Sequence, residues 1–387
     1  MDSLSKRNLP FQEEHQIYQD QIGRFVLEEL LPNEVRWEDQ GYVDRDAWLK
    51  AGANGLLCPS MSNEDGGPGG DFLHAVLMIE GLARHGVSGP GFFIHSEMVT
   101  PYIIKFGTVE QKARWLPKMA SGEVIGAVAM TEPGAGSDLR GMRTHATRAE
   151  GGWLINGQKV FISNGQTSDL VVVAAKTDLA DKNSITLFLV DTTTKGFQRG
   201  RNLEKVGIHG QDTSELFFEN VFVPDDSVLG QPGDGFKQLM HGLARERLSI
   251  AIGSQARAEA ALKWTIDYVQ QREIFGAPLS DMQNTRFTLA EMQTDVEVGR
   301  AFVDDMLRQY LDGKLEPTRA SMGKLWLTEM LGRVADKGLQ MHGGWGYMRE
   351  FPISRLWVAA RIERILGGSN EVMKEIIGRS LVGRGKA

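Results

Sequence analysis

Cysteine is almost absent from this chain. Cys58 is the only one in 387 residues, which excludes an intrachain disulfide and any metal or iron-sulfur centre built on cysteine. The eight histidines show no HxxH, HExxH or carboxylate pairing at ligand spacing, so a metal site has little support. No apolar run approaches the roughly 20 residues of a membrane helix. Met1 to Pro10 carry neither an apolar signal core nor an arginine-rich presequence, and the chain reads as a cytoplasmic protein or a trimmed organellar one. Clusters of like charge are missing too. The 43 basic and 50 acidic residues are interleaved, with a formal net charge of -7, which favours solubility and gives no footing for a nucleic-acid groove. A GxSxG nucleophile elbow is also lacking, and with it the commonest acyl-hydrolase arrangement.

What is present is enough apolar content, 41%, for two or three domains. The chain has three textures. From 1 to 123 the period is helical, with Ile17, Ile22, Phe25, Val26 and Leu30 at three- and four-residue steps, Pro32 where that helix should end, and a glycine-rich loop from Ser62 to Gly70. From 124 to 231 short β-branched or aromatic runs predict strands at 124–130, 153–155, 159–162, 169–175, 185–190 and 215–223. Turn signals at Gly151-Gly152 and Asn156-Gly157 divide them. From 232 to 387 helical period returns over 236–271, 281–312 and 317–343, with a further helix from about Asn370. The expected class is α+β, mostly α, with a central β-barrel or sandwich between two helical domains.

Three segments carry chemistry. Thr131-Glu132-Pro133-Gly134-Ala135-Gly136-Ser137-Asp138 follows a strand-like run; its small residues let backbone N–H groups and hydroxyls approach an anion or a ring edge. An ordinary glycine turn is the plain alternative, and a Rossmann loop fits worse, because the glycine spacing is wrong. In Lys159-Val160-Phe161-Ile162-Ser163, Phe161 and Ser163 share one strand face, offering a flat apolar wall beside a hydroxyl. Glu246 interrupts the stripe Leu239, Leu243, Glu246, Ile250, where a carboxylate is costly unless paired or functional. Leu248 and Ile252 on the other side leave a second possibility: a broadly buried helix with Glu246 bonded to a neighbouring arginine.

Together these residues resemble the acyl-CoA dehydrogenase family, closest in pattern to its long-chain branch. The resemblance rests on Met130 to Asp138, Asn156-Gly157-Gln158-Lys159, Arg272-Glu273-Ile274-Phe275-Gly276, Gln340-Met341-His342-Gly343-Gly344 and Gly368-Ser369. It implies a C-terminal four-helix bundle, FAD between the β-domain and the bundle, a homotetramer, and a role in fatty acid β-oxidation. By position, Met130, Thr131, Phe161 and Ser163 would surround the isoalloxazine, with Ser137 at the pyrophosphate and substrate. Arg272, Phe275, Gln283, Gln340 and Gly344 would complete the cofactor site across a subunit boundary, and Ser369 and Glu371 would touch the cofactor. For substrate, Arg247 would help hold the acyl-CoA and the Gly368 N–H would bond the thioester carbonyl. Two departures stand out: Ala244 replaces an aspartate of some members, and Val358-Ala359 replaces a common Arg-Asp pair.

Most of the family carries its catalytic glutamate at the position of Gly367. In the long-chain and isovaleryl branches a glutamate matching Glu246 serves instead, and the resemblance therefore implies Glu246 as base for trans-2-enoyl-CoA formation, with electron-transfer flavoprotein as acceptor. A flavin oxidase or monooxygenase of the same fold, and a non-catalytic FAD- or thioester-binding homologue, are the competing expectations.

Overall fold

Helix α1 (Glu13–Phe25) runs on through a π-turn at Val26–Leu30 and ends in a 3-10 turn at Leu31–Asn33 that contains Pro32. Proline lacks the N–H that would continue the ladder. Ile22, Phe25, Val26 and Leu30 are buried as expected, whereas Ile17 is 60% exposed and belongs to the outer face. The computed structural model describes Leu4, residues 7–181 and residues 183–383. Further helices are α2 (Glu34–Gln40), α3 (Arg45–Ala53), α4 (Phe72–Arg84), α5 (Thr100–Phe106) and α6 (Val109–Ser121).

Eight strands follow: β1 (Gly126–Ala129), β2 (His145–Ala149), β3 (Gly152–Ser163), β4 (Leu170–Lys176), β5 (Ile185–Asp191), β6 (Phe197–Asn202), β7 (Thr213–Pro224) and β8 (Val228–Leu229). They form one sheet in the order β6-β7-β3-β2-β4-β5-β8, with β1 parallel on β4. Every residue of β4 is buried. Leu170, Val172 and Ala174 join a core with Tyr102 and Leu239 of the helical parts. Val171, Val173 and Ala175 face an all-strand core with Ile155, Leu216 and Phe218. The period of two thus serves two cores at once, as the sheet curls over its own inner face.

Asn156-Gly157 is not a turn. It lies inside β3, where the register with β7 shifts between Ile155 and Gly157. Gly157 has φ +146°, and a Cβ there would stand 2.4 Å from Thr144 Oγ1. The glycine therefore marks a bulge with a close approach, the other common use of glycine in a strand. Strands β2 and β6 were not expected; their sequences are polar, and pairing with β3 and β7 makes them strands.

The C-terminal part holds α7 (Gly235–Gln271), a small hairpin of β9 (Glu273–Ile274) and β10 (Ala277–Pro278), α8 (Gln283–Leu311), α9 (Pro317–His342), α10 (Pro352–Ile362) and α11 (Asn370–Val382). Helices α7, α8 and α9 pack on one another, α10 and α11 pack on α9, and α4 packs on α7. One core therefore runs through both helical regions. The buried carboxylate of Glu80 joins them as well, paired with Arg7, Arg84 and Arg300. No described helix is long and apolar enough to cross a membrane.

Candidate active site

Glu246 lies in the first half of α7 and is only 5% exposed. Its neighbouring arginines both point elsewhere: Arg245 pairs with Glu97 of the segment before α5, and Arg247 donates to Ser321 of α9 at 3.0 Å. The neighbouring-arginine arrangement is therefore not what the fold adopts. The one hydrogen bond to the carboxylate among the described residues comes from the Tyr102 hydroxyl of α5, 2.9 Å from Oε1. Burial pushes the carboxyl up to about 6, against the opposing pull of the Tyr102 bond and the more distant Arg247 charge. Leu248 and Ile252 are also fully buried, so α7 is enclosed on several sides here.

The Gly367-Gly368 loop comes down on the same stretch of α7. Gly367 has φ +61° and Gly368 φ +88°, conformations that cost a side chain about 1 kcal/mol or more. A Cβ on Gly367 would stand 2.3 Å from Cδ1 of Ile250, one helical turn after Glu246. Tertiary structure thus places two sequence-distant segments, the one carrying Glu246 and the one lacking a carboxylate, side by side. Ser369 caps α11 by accepting from the Val372 N–H at 3.4 Å. Glu371 is exposed in the first turn, its carboxyl held low by its own backbone N–H and by Ser369.

The second cluster sits on the β-domain. Lys159, buried in β3, donates to the Met130 carbonyl at 3.0 Å and to Glu132 Oε1 at 2.9 Å. The Val160 N–H takes the Thr131 carbonyl at 3.0 Å, and Glu132 and Ala135 close a tight turn by mutual backbone bonds. Glu132 also accepts from the N–H groups of Arg143 and Thr144. Burial pulls the Lys159 amine down to about 8, while Lys159 and those N–H groups hold the Glu132 carboxyl low despite its burial. These bonds fix Met130 and Thr131 against Lys159 and Val160 of β3, the strand that also carries Phe161 and Ser163. Phe161 sits on a bulge at φ +59° with 65% of its surface exposed, an outward aromatic wall in a strained conformation. The turn beside it is open. A methyl group on Gly134 would meet no atom within 4 Å, one on Gly136 would come no closer than 3.9 Å to Thr131, and Ser137 is exposed next to them.

A third group lies apart. Arg272, at the C-terminus of α7, and Gly344, just past α9, line a cavity of ≈600 Å³ with Tyr268, Met341, His342 and Trp345. Phe275 on the β9–β10 turn is 98% exposed at φ +50°, and Gln283 and Gln340 are exposed at the start of α8 and the end of α9. None of the β-domain residues lines this cavity. Elsewhere, Glu14, His15 and His74 come within reach of one another. The Nδ1 atoms of both rings are already engaged, accepting the Gln12 and Asp71 N–H groups as helix caps.

The chain matches three family models end to end: the acyl-CoA dehydrogenase N-terminal domain over 12–123, the middle domain over 127–221 and the C-terminal domain over 233–382. The chain belongs to the acyl-CoA dehydrogenase family. It is 45% identical to the mitochondrial long-chain specific acyl-CoA dehydrogenase of Mus musculus over 375 residues, covering 96% of this chain and 87% of that protein. An acyl-CoA dehydrogenase structure from Geobacillus kaustophilus superposes with TM-score 0.94 at 45% identity, covering 96% and 99% of the two chains. One from Bacillus anthracis, described as complexed with FAD, superposes with TM-score 0.90 at 29% identity, covering 97% and 67%.

Within this dehydrogenase, sequence reasoning missed Tyr102 and Lys324, and it named Ile250 only as a member of the α7 stripe. Lys324 had a usable signal: it falls on the apolar stripe Ala320, Lys324, Leu327, Leu331 of α9, the same anomaly that singled out Glu246. Tyr102 had none, since its meeting with Glu246 is purely tertiary. Of the two departures, Val358 fills space against the β-domain, where a Cβ on Gly207 would stand 2.3 Å from its Cγ1.

Proposed function

We propose that this dehydrogenase uses FAD to introduce an α,β double bond into acyl-CoA thioesters, with Glu246 as the base. The observation that carries the reading is the buried Glu246 carboxylate, bonded among the described residues only to Tyr102 and set beside a loop that lacks a competing carboxylate. The residues fit the cofactor. Phe161, Met130, Thr131 and Ser163 offer an exposed aromatic wall with hydroxyls, and the open glycine turn leaves backbone within reach of phosphate. When bound, FAD supplies the two-electron acceptor for the β-carbon.

The chain's own residues do the rest. The Gly368 N–H polarises the thioester carbonyl, which acidifies the α-carbon. Glu246 takes the α-proton at Oε2, because Oε1 already accepts from Tyr102. With its carboxyl near 6, it is mostly ionised at neutral pH yet basic enough to act. Arg247, fixed by Ser321, stands beside it to help hold the acyl-CoA. Arg272, Phe275, Gln283, Gln340 and Gly344 complete the cofactor site of a second copy in a homotetramer, which accounts for exposed, strained Phe275 and for a cavity separate from the β-domain group. Ser137, Ser369 and Glu371 contribute further contacts, the three domains are the helical, β and bundle parts at 1–123, 124–231 and 232–387, and electrons pass to electron-transfer flavoprotein in fatty acid β-oxidation.

An anaerobic flavin-bleaching screen across acyl-CoAs of graded length and branching tests this. Bleaching followed by reoxidation with electron-transfer flavoprotein is expected. Reoxidation by O2 alone assigns an oxidase, and no bleaching with any thioester refutes the dehydrogenase reading.

A further inference from the structure

Lys159 and Glu132 form a buried ion pair that the mechanism above leaves unused. Their side chains are 0% and 6% exposed, with Lys159 Nζ 2.9 Å from Glu132 Oε1. Burying such a pair carries a desolvation cost, which Glu132 helps to offset by also accepting from the Arg143 and Thr144 N–H groups. The second bond of the ammonium goes to the Met130 carbonyl, at 3.0 Å. A charge-assisted bond of this kind is roughly twice as strong as a neutral one.

The Met130 carbonyl and the Thr131 N–H belong to one planar peptide unit, and because that unit is trans they point in opposite directions. A bond that fixes this carbonyl therefore fixes that N–H. The next unit is fixed as well, since the Thr131 carbonyl accepts from the Val160 N–H at 3.0 Å and the Glu132 N–H donates to the Ala135 carbonyl at 2.9 Å. Both dihedrals of Thr131 are set by these bonds. The Thr131 N–H itself has no acceptor among the described residues, and Thr131 is only partly buried. A rigid, polarised backbone donor is thus left over beside the strand that carries Phe161 and Ser163.

We propose that Lys159 is a positioning residue, which through the Met130 carbonyl holds and polarises the Thr131 N–H as a preset donor to a ring carbonyl of the bound flavin. The inference rests on the FAD placement given above. Reduction adds negative charge to the carbonyl-bearing pyrimidine ring of a flavin, so a donor fixed there beforehand favours the reduced cofactor. Lys159 thereby raises the reduction potential of the flavin.

The test uses the FAD-loaded enzyme, as wild type, as Lys159→Met, and as Lys159→Met combined with Glu132→Gln. Dye-equilibrated reductive titration gives the midpoint potential. Infrared difference spectra of enzyme reconstituted with FAD carrying 13C at its two ring carbonyls report the hydrogen bonds those carbonyls accept. Lys159→Met is expected to shift the oxidised–reduced ratio roughly tenfold toward oxidised flavin, about 30 mV more negative for a two-electron couple, and to move one ring-carbonyl stretch to higher frequency. The double variant leaves no unpaired carboxylate buried; it should show the same two shifts and serves where the single variant fails to retain FAD. A lysine that only braces the fold would lower melting temperature and FAD retention, while the flavin that stays bound keeps the wild-type potential and carbonyl bands; that result overturns the proposal. A wild-type protein that takes up no FAD overturns the cofactor placement itself.

Discussion

Replacing Glu246 with glutamine separates the catalytic role of this side chain from its structural cost. The carboxyl rises from 4.5 to about 6 on folding, and at 1.36 kcal/mol per unit this amounts to about 2 kcal/mol. The sign follows from a raised pKa: stability contributed by the neutral acid is fully present below about 4.5 and is lost as pH rises through about 6. Above that range the wild type buries a carboxylate whose one direct partner among the described residues is Tyr102. Glutamine keeps an oxygen for the Tyr102 hydroxyl and has no charge to bury. Glu246→Gln is therefore expected to gain up to about 2 kcal/mol over wild type at pH 8 relative to pH 4.5. Denaturant unfolding at fixed protein and FAD concentration reads this difference, since ligand and subunit binding shift apparent stability. Stopped-flow flavin reduction by an acyl-CoA should meanwhile fall by ~10²–10⁴, the usual contribution of a positioned base. A variant that reduces its flavin within tenfold of wild type, or whose stability difference is flat from pH 5 to pH 8, refutes the assignment.

Three other perturbations follow from the same geometry. Tyr102→Phe removes a bond that lowers the Glu246 pKa, so the acidic limb of the kcat/KM profile, expected near 6 in wild type, should move to higher pH; an unmoved limb would detach it from Glu246. Gly367→Glu in the Glu246→Gln background should restore flavin reduction only weakly, because it must adopt φ +61° and displace Ile250. Adding Ile250→Ala should raise the recovery, and equal rates with and without it would show that the clash is not what limits the loop. Arg272→Ala should lower FAD occupancy and loosen subunit association on dilution, read by flavin absorbance and mass photometry; full occupancy with unchanged mass would remove the shared-site arrangement.

How far each feature was readable depended on whether its cause was local. The long helices of the C-terminal part were expected at 236–271, 281–312 and 317–343 and occur at 235–271, 283–311 and 317–342, because each buries a sustained stripe that repeats many times. Strand β4 was legible for the same reason. By contrast, β2 and β6 carry too little apolar pattern to announce themselves, and a partner strand decides their state. Asn156-Gly157 has the composition of a hairpin turn, and only the pairing with β7 and the close approach of Thr144 in the folded chain make it a bulge within β3.

The site divides along the same line. The sequence by itself determined that one carboxylate, Glu246, stands in an apolar stripe, that Gly367 offers none, and that a glycine-rich segment precedes a strand with an aromatic and a hydroxyl on one face, since each is a matter of residue type and spacing. It also determined the family, because its motifs recur in order along the whole chain. Tertiary structure alone decided which partner Glu246 has. Arg245 and Arg247 are its chain neighbours, but successive helix residues point about 100° apart, so both are drawn off to Glu97 and Ser321 while Tyr102, 144 residues away, closes over the carboxylate. It likewise decided that Gly367 meets Ile250 and that Lys324 meets Gly368, contacts between elements that no local period encodes.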